Sequence, residues 1–596
     1  MGRLFVRKAD GDTVELEFKK GETILSCLQR NSVYLNAVCN GKGKCLKCKV
    51  KLQDAKSSAR EYEGKMVLAC QTKLVEDTWI EIPFSSSLPT VKMKLGYEPD
   101  IPINSSIKKI SLRISLDNFK ERRRNEIKIL EELNKRGLNV IEFNPSIKDT
   151  LLPLLNVCKG DVTVTVRGNQ IIHLEKGENS EAYGAAVDIG TTQISVFLVN
   201  LQTGFIIDFI SEVNKQTMFG GDVITRLSYI LSNQDNLSRL QTTILNQIQN
   251  IIEKLIKNNR VNPNHLYEIV IVGNTLMTHI FYGLDPSGLA KYPYKPAETG
   301  AKEINARHYI SNINYLAKIY TPPPISGYIG PDITADLLSS EMYKTNKNIL
   351  LMDIGTNTEI ILKYNRKFYG CSTPSGPALE GGHIKYGMRA EKGAIEAIYI
   401  DPDTLKIDYK IIGGGEPEGL CGSGIIDAIV ELFKVGAVKN DGSINGDHKL
   451  AAKLNSEKVI IIATKLNGEK ITLSQSDIRE IQKAKAAIQA GYSTLLKYVN
   501  TDLNQLDEVI IAGSFGFHIN PDSGRAIGVI PPVDDLKLKF MGNLAGSGAR
   551  ILLKNADTRK ICERIVESVE YVELGTIKYF QDIWLRSLYL SKNQGG

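Results

Sequence analysis

One short motif occurs twice in this chain, and its surroundings are similar in both places. Residues 187–192 read VDIGTT and residues 352–357 read MDIGTN, each between apolar segments typical of strands. Each half then returns to an apolar segment that runs into glycine, EIVIVGNT at 268–275 and EVIIAGSF at 508–515. This repetition predicts two copies of one α/β subdomain, facing each other across a cleft.

The repeated Asp-x-Gly-Thr turn suits a phosphate ligand. Backbone N–H groups and threonine hydroxyls of such a turn donate hydrogen bonds to phosphate oxygens, while the aspartate organises Mg²⁺ and its waters. A single copy would be weak evidence, because Asp and Gly are common in turns that bind nothing. Two copies at matching places in a repeated fold predict a nucleotide site.

Four cysteines near the start of the chain form a second signal. Cys39, Cys45, Cys48 and Cys70 are spaced C-x5-C-x2-C-x21-C, with glycines inside the loop. Three thiolates from one loop, completed by a fourth from elsewhere, are typical of a [2Fe–2S] ferredoxin, although this loop is one residue longer than the plant-type spacing. Structural zinc is the alternative, but zinc sites usually show two C-x2-C pairs, and this region has one.

The elements predicted around these cysteines agree with a ferredoxin. Residues 3–18 alternate in hydrophobicity as a hairpin does, and a short helix is predicted over 23–29. Further strands are predicted near 48–52 and 79–82. Strand, strand, helix, cysteine loop and strand is the order of a β-grasp ferredoxin.

Composition and charge exclude several classes of protein. No stretch approaches the roughly 18 apolar residues of a membrane span, and the first residues lack the apolar core of a secretory signal. A net charge of +7, with lysines scattered among acids, predicts no nucleic-acid partner. We therefore expect a cytoplasmic protein with no membrane partner. Nine cysteines, an odd number, argue against a disulfide framework there. Those without ligand spacing are predicted to be small buried residues: Cys27, Cys158, Cys371, Cys421 and Cys562.

The sequence predicts three domains and a linker. Residues 1–84 form the ferredoxin-like domain, and residues 85–107, rich in Ser and Pro and without periodicity, form the linker. A small α/β middle domain follows over 108–180, with a helix at 119–136, and the duplicated ATPase-like domain spans 181–596. The predicted fold class is multidomain, α/β and α+β.

The duplicated part resembles the actin, Hsp70 and sugar-kinase ATPase superfamily, whose fold is ribonuclease-H-like. The resemblance implies ATP and Mg²⁺ as ligands, Asp188 and Asp353 as catalytic carboxylates, and Asp353 as the candidate that orients the attacking water. The second loop is less glycine-rich than that of Hsp70, which leaves the water-orienting group open. The implied nucleotide contacts are Gly190, Thr191 and Thr192 in the first loop, Gly355, Thr356 and Asn357 in the second, and Gly513 and Ser514 on the adenosine side.

The chain as a whole resembles the reductive activators of corrinoid proteins. Its motifs for this resemblance are NKQTMFGGDVITR (214–226), VGNTLMTH (272–279), STPSGPALEGGHIKYGMRA (372–390) and CGSGIID (421–427). Such proteins use ATP and one electron to restore corrinoid methyltransferase systems whose cobalt has slipped from Co(I) to Co(II). The resemblance implies a corrinoid protein as partner and an upstream electron donor, and it allows a homodimer. Some relatives carry a C-terminal [4Fe–4S] module, and this chain has no cysteine cluster after Cys421.

Three other functions stay open at this stage. Activators of 2-hydroxyacyl-CoA dehydratases share the ATPase fold, but they use a [4Fe–4S] cluster between subunits and lack a ferredoxin domain. A metabolite kinase with a redox-sensing domain would transfer a phosphoryl group to a small acceptor. A chaperone-like ATPase is disfavoured, because little chain follows the second half of the repeat.

Overall fold

The structure is a computed structural model of the chain. It describes residues 2–8, 12–31, 33–37, 41, 43, 47–53, 66–83, 96–114, 122–148, 160–454, 456–513 and 515–590. Within those ranges, no helix has the length and apolar character needed to cross a membrane.

The chain begins with a five-stranded sheet and one helix, which we call the head (residues 2–82). Its elements are β1 (Gly2–Arg7), β2 (Thr13–Phe18), α1 (Ile24–Arg30), β3 (Lys49–Gln53), β4 (Met66–Leu68) and β5 (Thr78–Glu81). The strand order is β2-β1-β5-β3-β4, with β1 antiparallel to β2 and parallel to β5. The alternation fixes the register, because Leu4 pairs with Leu16 and both are buried. The predicted β-grasp fold is confirmed.

Residues 96–106, the second half of the predicted linker, are attached to the C-terminal part of the chain. The Tyr97 N–H donates to the Met541 carbonyl at 2.8 Å, and the buried Arg550 donates from Nε to Glu98 at 2.7 Å. A Cβ at Gly96 would lie 2.1 Å from the Asn543 carbonyl oxygen, so this approach requires glycine. Residues 84–95 lie outside the described ranges, and the domain boundaries stay predictions.

A four-stranded sheet with one described long helix follows. Its elements are β6 (Ile107–Arg113), α2 (Arg122–Lys135), β7 (Glu142–Phe143), β8 (Asp161–Arg167) and β9 (Gln170–Lys176), in the strand order β6-β8-β9-β7. The helix predicted over 119–136 is present as α2, and residues 115–121 lie outside the described ranges. The sheet attaches to the next part of the chain through polar contacts: Arg167 donates to the Leu316 carbonyl at 2.6 Å, and His265 Nε2 lies 2.5 Å from Glu175.

The rest of the chain forms two lobes, each built on a six-stranded sheet. The first lobe contains β10 (Tyr183–Ile189), β11 (Gln193–Asn200), β12 (Ile206–Val213), α3 (Val223–Ser232), α4 (Asp235–Asn258), β13 (Leu266–Gly273), α5 (Thr275–Tyr282), β14 (Lys302–Asn305), β15 (Lys318–Thr321) and α6 (Pro331–Ser339).

The second lobe contains β16 (Ile349–Ile354), β17 (Thr358–Tyr364), β18 (Lys367–Thr373), β19 (Ala394–Ile400), β20 (Ile407–Ile411), β21 (Gly419–Leu420), α7 (Gly422–Lys434), β22 (Ala451–Leu454), β23 (Glu457–Thr464), β24 (Lys470–Ser474), α8 (Gln475–Tyr498), β25 (Glu508–Ala512), α9 (Pro521–Ile527), β26 (Leu538–Gly542), α10 (Leu544–Lys554), α11 (Thr558–Ser568), β27 (Val569–Tyr571) and α12 (Phe580–Ser587). Two small three-stranded sheets, β20-β19-β21 and β22-β23-β24, extend this lobe.

The two six-stranded sheets share one topology. Five strands run in the order β12-β11-β10-β13-β15 in the first lobe and β18-β17-β16-β25-β26 in the second. Directions match as well: β10 and β16 are antiparallel to the strand that follows each and parallel to β13 and β25. Each copy of the repeated motif therefore turns between the first two strands of its sheet. The predicted duplicated, ribonuclease-H-like fold is confirmed.

Helices α6 and α10 cross where the lobes meet. A Cβ on Gly548 would lie 2.3 Å from the Ala335 carbonyl oxygen, so the two helices approach closely only because α10 carries glycine there. The Ser339 hydroxyl donates to the Leu544 carbonyl at 3.0 Å. Both helices begin at the cleft between the lobes, which places Asp332 and Asn543 beside the repeated motifs.

Candidate functional site

A cavity of about 220 Å³ lies between the lobes and is lined by both copies of the repeated motif. Among the residues predicted from the sequence, the structure brings together Asp188, Gly190, Thr191, Thr192, Asp353, Gly355, Thr356, Asn357 and Gly513 in its wall. Ser514 lies outside the described residues. Sequence reasoning thus located one cleft, while the role of each residue in it stays a prediction.

The first loop, residues 190–192, is held by side chains from the family motif at 214–226 and from the start of α5. Asn214 Nδ2 donates to the Gly190 carbonyl at 2.9 Å, and the fully buried Arg226 donates to the Thr191 carbonyl. Asn274 Nδ2 donates to Thr191 Oγ1 at 2.9 Å. Because the carbonyls of the loop are bound from behind, its N–H groups and hydroxyls are left to face the cleft.

The second loop, residues 355–357, has different supports. The Ser375 hydroxyl lies within hydrogen-bond distance of the Gly355 carbonyl (3.0 Å) and the Thr356 carbonyl (3.3 Å). Thr356 Oγ1 donates to Glu380 at 3.3 Å. Close packing also shapes this loop: Gly513 has φ +88°, and a Cβ there would lie 2.5 Å from Asp353 Oδ1. Gly513 therefore permits a close approach to the predicted catalytic carboxylate.

The two loops meet across the cleft. Thr192 Oγ1 and Thr356 Oγ1 are 2.8 Å apart, and Asn543 Nδ2 of the second lobe donates to Asp188 Oδ2 of the first at 2.7 Å. A phosphate chain placed between the loops would therefore be contacted from both lobes. This is the geometry that the duplicated motif predicts for nucleotide binding.

Four carboxylates that the sequence reasoning missed surround Asp353. They come from α6 (Asp332 and Asp336), from β17 (Glu359) and from the turn after β18 (Glu380). Asp336 is fully buried, and neither of its oxygens has a hydrogen-bond donor among the described residues. The sequence did carry one signal for Asp336. Its neighbours in the helix PDITADLLS are apolar, whereas an aspartate is normally found on a solvent-exposed face.

Burial and mutual repulsion keep these acids from ionising easily. Burial raises the pKa of Asp188 to about 7, although the hydrogen bond from Asn543 opposes the rise. Burial, together with the Asp353 charge, raises the pKa of Asp332, and the same two causes raise the pKa of Asp336 well above its usual value. Such a set of acids suits a divalent cation. No three described side chains already converge on one point, so a cation held here would also need water or phosphate oxygens.

One cation faces this acidic cleft. Arg389 is the only lysine or arginine among the described lining residues, and its NH1 group is buried without a hydrogen-bond partner in the described part of the chain. Its charge opposes the rise that burial causes in the pKa values of Glu380 and Glu391. The arginine lies inside the motif at 372–390, but the sequence did not distinguish it from its neighbours.

Glycine-rich runs follow β20 and β26. Gly422 and Asn543 line the cleft, whereas Gly424 and Gly548 pack closely against the backbones of Ile395 and Ala335. Each run thus contributes both to the cavity wall and to helix packing.

Two of the four predicted cluster ligands are described. Cys48 is buried at the start of β3, and Cys70 lies in the turn after β4, where Ala69 N–H donates to the Cys48 carbonyl at 2.8 Å. Gly41, with φ +77°, lies against Cys70, since a Cβ there would be 3.8 Å from the Cys70 Cβ. Cys39 and Cys45 lie outside the described residues. The residues that are described fit a cluster, because Gly41 lies against Cys70 and the residue before Cys70 is hydrogen-bonded to Cys48.

The other cysteines agree with the prediction where they are described. Cys27, Cys371, Cys421 and Cys562 are all buried, and Cys158 lies outside the described ranges. Cys421 also lines the cleft at the start of α7.

The head touches both lobes beside the cleft. On the first lobe, Gln29 Nε2 donates to the Met218 carbonyl at 2.6 Å, and the Tyr34 hydroxyl lies 3.4 Å from Thr217 Oγ1. On the second lobe, Lys47 Nζ donates to the Gly387 carbonyl at 2.7 Å. Lys47 directly precedes Cys48, and Gly387 lies two residues before Arg389, which lines the cleft.

The fold and site define a class of protein: a [2Fe–2S] domain joined to a nucleotide-binding ASKHA domain. Three family descriptions match the chain in order. "2Fe-2S iron-sulfur cluster binding domain" matches residues 7–75, "RACo middle region" matches 183–345, and "C-terminal domain of RACo the ASKHA domain" matches 347–595.

Full-length relatives define the family further. The chain is 30% identical over 573 residues to "Corrinoid activation enzyme RamQ" of Eubacterium limosum, covering 94% of each protein. It is 23% identical over 444 residues to "[Co(II) methylated amine-specific corrinoid protein] reductase" of Methanosarcina barkeri, covering 68% of this chain and 76% of that one. A solved structure titled "Reductive activator for corrinoid,iron-sulfur protein" superimposes with TM-score 0.75 and 29% identity, covering 99% of this chain and 98% of that one. This chain belongs to the family of reductive activators of corrinoid proteins.

Proposed function

We propose that this protein transfers one electron to the Co(II) form of a corrinoid protein and so regenerates Co(I) for methyl transfer, in a step that requires ATP. The relatives named above support the corrinoid protein as the partner. The observation that carries the proposal is the contact between Lys47, which directly precedes Cys48, and Gly387, two residues before the cleft-lining Arg389.

The energetics explain why the two parts occur together. A plant-type [2Fe–2S] centre has a potential near −400 mV, and Co(I) is a stronger reductant, so the transfer to cobalt runs uphill. Each 100 mV of that gap corresponds to roughly 2.3 kcal/mol for one electron. Nucleotide-driven movement of the two lobes would supply this energy. The upstream partner would be a low-potential one-electron donor that reduces the head again after each transfer.

The cleft would bind ATP with its phosphates between the two loops. N–H groups and hydroxyls of residues 190–192 and 355–357 would donate to the phosphate oxygens. Asp188 and Asp353 would hold Mg²⁺ through its waters, and the ion would neutralise phosphate charge. Gly513 would lie towards the adenosine.

Hydrolysis in this cleft would use Asp353 to orient a water molecule. The water oxygen would bond to the γ-phosphorus, the bond from that phosphorus to the bridging oxygen of ADP would break, and the Asp353 carboxylate would take the proton. Burial raises the pKa of Asp353, which brings this carboxylate closer to the range that suits a general base.

The cysteine loop would hold the electron carrier. Cys39, Cys45, Cys48 and Cys70 would be its ligands, and a bound [2Fe–2S] cluster would supply a single low-potential electron. The head's own residues would fix where that electron leaves from, since Tyr34 and Gln29 attach it to the first lobe and Lys47 to the second. Residues 96–106 are attached to β26 and α10, which fixes the chain from Gly96 onward.

The test is anaerobic mixing of the reduced protein with a Co(II) corrinoid protein, with and without MgATP, while the cobalt absorption is followed. We expect Co(I) to form only with MgATP. The Cys48→Ser variant should lose both the visible absorption of the cluster and cobalt reduction, whereas Cys27→Ala, a change in the same core, should keep both. Cobalt reduction that is equally fast without ATP would contradict the proposal.

A further inference from the structure

Arg389 has a feature that the proposed mechanism has not used. Its NH1 group is buried at the cleft without a hydrogen-bond partner among the described residues. A buried guanidinium N–H that donates to nothing is costly, and such groups usually have a ligand or a functional partner. Glu380 and Glu391 lie near enough for the Arg389 charge to oppose the rise in their pKa values, but neither is a hydrogen-bond partner of NH1.

The position of Arg389 matches the place where phosphates would lie. Its charge acts on Glu380, whose carboxylate accepts a hydrogen bond from Thr356 of the second loop. It also acts on Tyr34 of the head, which packs on the core of the first lobe. Arg389 therefore lies between the second loop and the head.

The segment that carries Arg389 is fixed in a short β-bridge. Gly387 pairs with Leu420, the Met388 N–H donates to the Leu420 carbonyl at 2.8 Å, and the Leu420 N–H donates to the Tyr386 carbonyl at 2.8 Å. A Cβ at Gly387 would lie 2.3 Å from the Gly381 carbonyl oxygen, so the bridge is tightly packed. A displacement of Gly387 would therefore be passed on to Arg389, two residues further along.

The head contacts the segment that carries Arg389. Lys47 Nζ donates to the Gly387 carbonyl, and Lys47 is the residue directly before the predicted ligand Cys48. One short stretch of backbone thus carries a contact from Lys47 at Gly387 and a guanidinium at Arg389 whose NH1 group has no partner among the described residues. The first lobe offers a parallel route, because Tyr34 lies beside Thr217, whose hydroxyl donates to the carbonyl of Asn214, a support of the first loop.

We propose that Arg389 binds the phosphates of ATP and that Lys47 of the head, through the Gly387 carbonyl, holds Arg389 in the position that does so. The inference rests on the proposed ATP site and adds that docking of the head regulates ATP binding there. The docked head increases the affinity of the cleft for ATP, and bound ATP stabilises the docked head by the same factor, because coupling between two sites is reciprocal.

The first experiment measures equilibrium binding of MgATP and of adenosine to the full-length protein by competition with a fluorescent ADP. Arg389→Gln should weaken ATP binding by about 10-fold to 100-fold, as expected for loss of a charge-assisted hydrogen bond. Adenosine binding should stay within about twofold of the wild-type protein. Arg389→Lys should restore part of the ATP affinity. The matched control is Lys392→Gln, an exposed charge on the same segment.

Two results would overturn the assignment of Arg389. One is an unchanged ATP affinity in Arg389→Gln, and the other is an equal loss for ATP and adenosine, which would indicate damage to the cleft. A wild-type protein that binds no ATP would overturn this inference together with the proposed function. A wild-type protein that shows the expected binding pattern but no ATP-dependent cobalt reduction would overturn the proposed function alone.

The second experiment tests the link to the head. Lys47→Gln should weaken ATP binding by roughly threefold to tenfold, with the visible absorption of the head unchanged. Lys49→Gln, which changes an exposed lysine two residues further along, should have no effect. In the double variant with Arg389→Gln, Lys47→Gln should cause no further loss, because both act through one contact chain. Additive losses, or no loss in Lys47→Gln, would overturn the link.

Discussion

The two lobes have the same strand order but support their phosphate loops differently. In the first lobe, two amides and a guanidinium, from Asn214, Asn274 and Arg226, donate to the loop, and the Asp188 carboxylate receives an N–H from Asn543. In the second lobe, a serine hydroxyl supports the loop, and Asp353 is surrounded by other acids.

This difference shows which features the two copies of the fold share and which differ between them. The turn keeps its place between the first two strands of the sheet in both lobes. It is one residue longer in the first lobe, where Ile189 pairs with Ile194, than in the second, where Ile354 pairs with Thr358. The side chains behind the turn come from other elements and have diverged. We infer that the first lobe holds the phosphates rigidly while the second carries the chemistry.

The largest expected effect is on turnover, in Asp353→Asn. If the second lobe carries the chemistry, kcat for ATP hydrolysis should fall by about 10²-fold to 10⁴-fold, the usual contribution of a general base, with ATP affinity changed little. Phosphate release and nucleotide binding measure the two quantities separately. Asp403→Asn, an exposed acid of the same lobe, is the control. A turnover within about threefold of wild type would remove Asp353 from this role.

The next largest effect is on stability, in Arg226→Gln. This side chain is fully buried and donates to the carbonyls of Gly220 and Thr191, so its loss leaves buried acceptors unpaired. We expect the free energy of unfolding to fall by roughly 2–4 kcal/mol. Urea unfolding of the protein without nucleotide measures it, with the exposed Arg564→Gln as control. A loss below about 0.5 kcal/mol would show that the first loop does not depend on this clamp.

A pH-dependent effect should follow from Asp188. Its pKa in the folded protein is about 7, above the usual value of 3.8, so the folded state binds a proton that the unfolded state releases between those pH values. Stability therefore falls as pH rises from about 4 to 7. Asp188→Asn should remove the part of this loss that Asp188 causes. Between pH 5 and pH 8, the ligand-free variant should therefore lose on the order of 1–3 kcal/mol less stability than the wild-type protein. Thermal unfolding of the variant and the wild-type protein at both pH values, in the presence of a chelator, measures this difference. The prediction is contradicted if raising the pH destabilises the variant as much as the wild-type protein.

The smallest effect is expected in Ser375→Ala, the counterpart of the arginine clamp. A neutral hydroxyl contributes about 1 kcal/mol, so the free energy of unfolding should fall by about that much. Measured beside Arg226→Gln in the same denaturant series, this variant quantifies the difference between the two supports. Equal losses in the two variants would show that the loops are held equally firmly.

The sequence predicted the functional features that depend on residues close together in the chain. The repeated turns and the cysteine loop are local patterns, so their spacing alone located the cleft walls and the head. The β-grasp order was also readable, because alternation in β1 and β2 fixes a hairpin register.

The rest depends on tertiary placement. Asp332 lines the cleft from the start of α6, a helix that packs closely against α10 at Gly548. Asn543 reaches Asp188 from the other lobe, at a sequence distance that no local pattern reveals. The contact between Lys47 and Gly387 is equally remote along the chain. The predicted linker illustrates the same limit, since its composition did not indicate that Glu98 would be bound by Arg550 and Lys554.

The most direct test of the account is one rapid mixing of the reduced protein with a Co(II) corrinoid protein, recording the absorption of the head and of cobalt together. With MgATP, we expect oxidation of the head and formation of Co(I) to proceed at one rate and in equal amounts. Without nucleotide, neither should occur. Equal transfer in both mixtures, or a head whose anaerobic preparation contains zinc in place of iron, would contradict it.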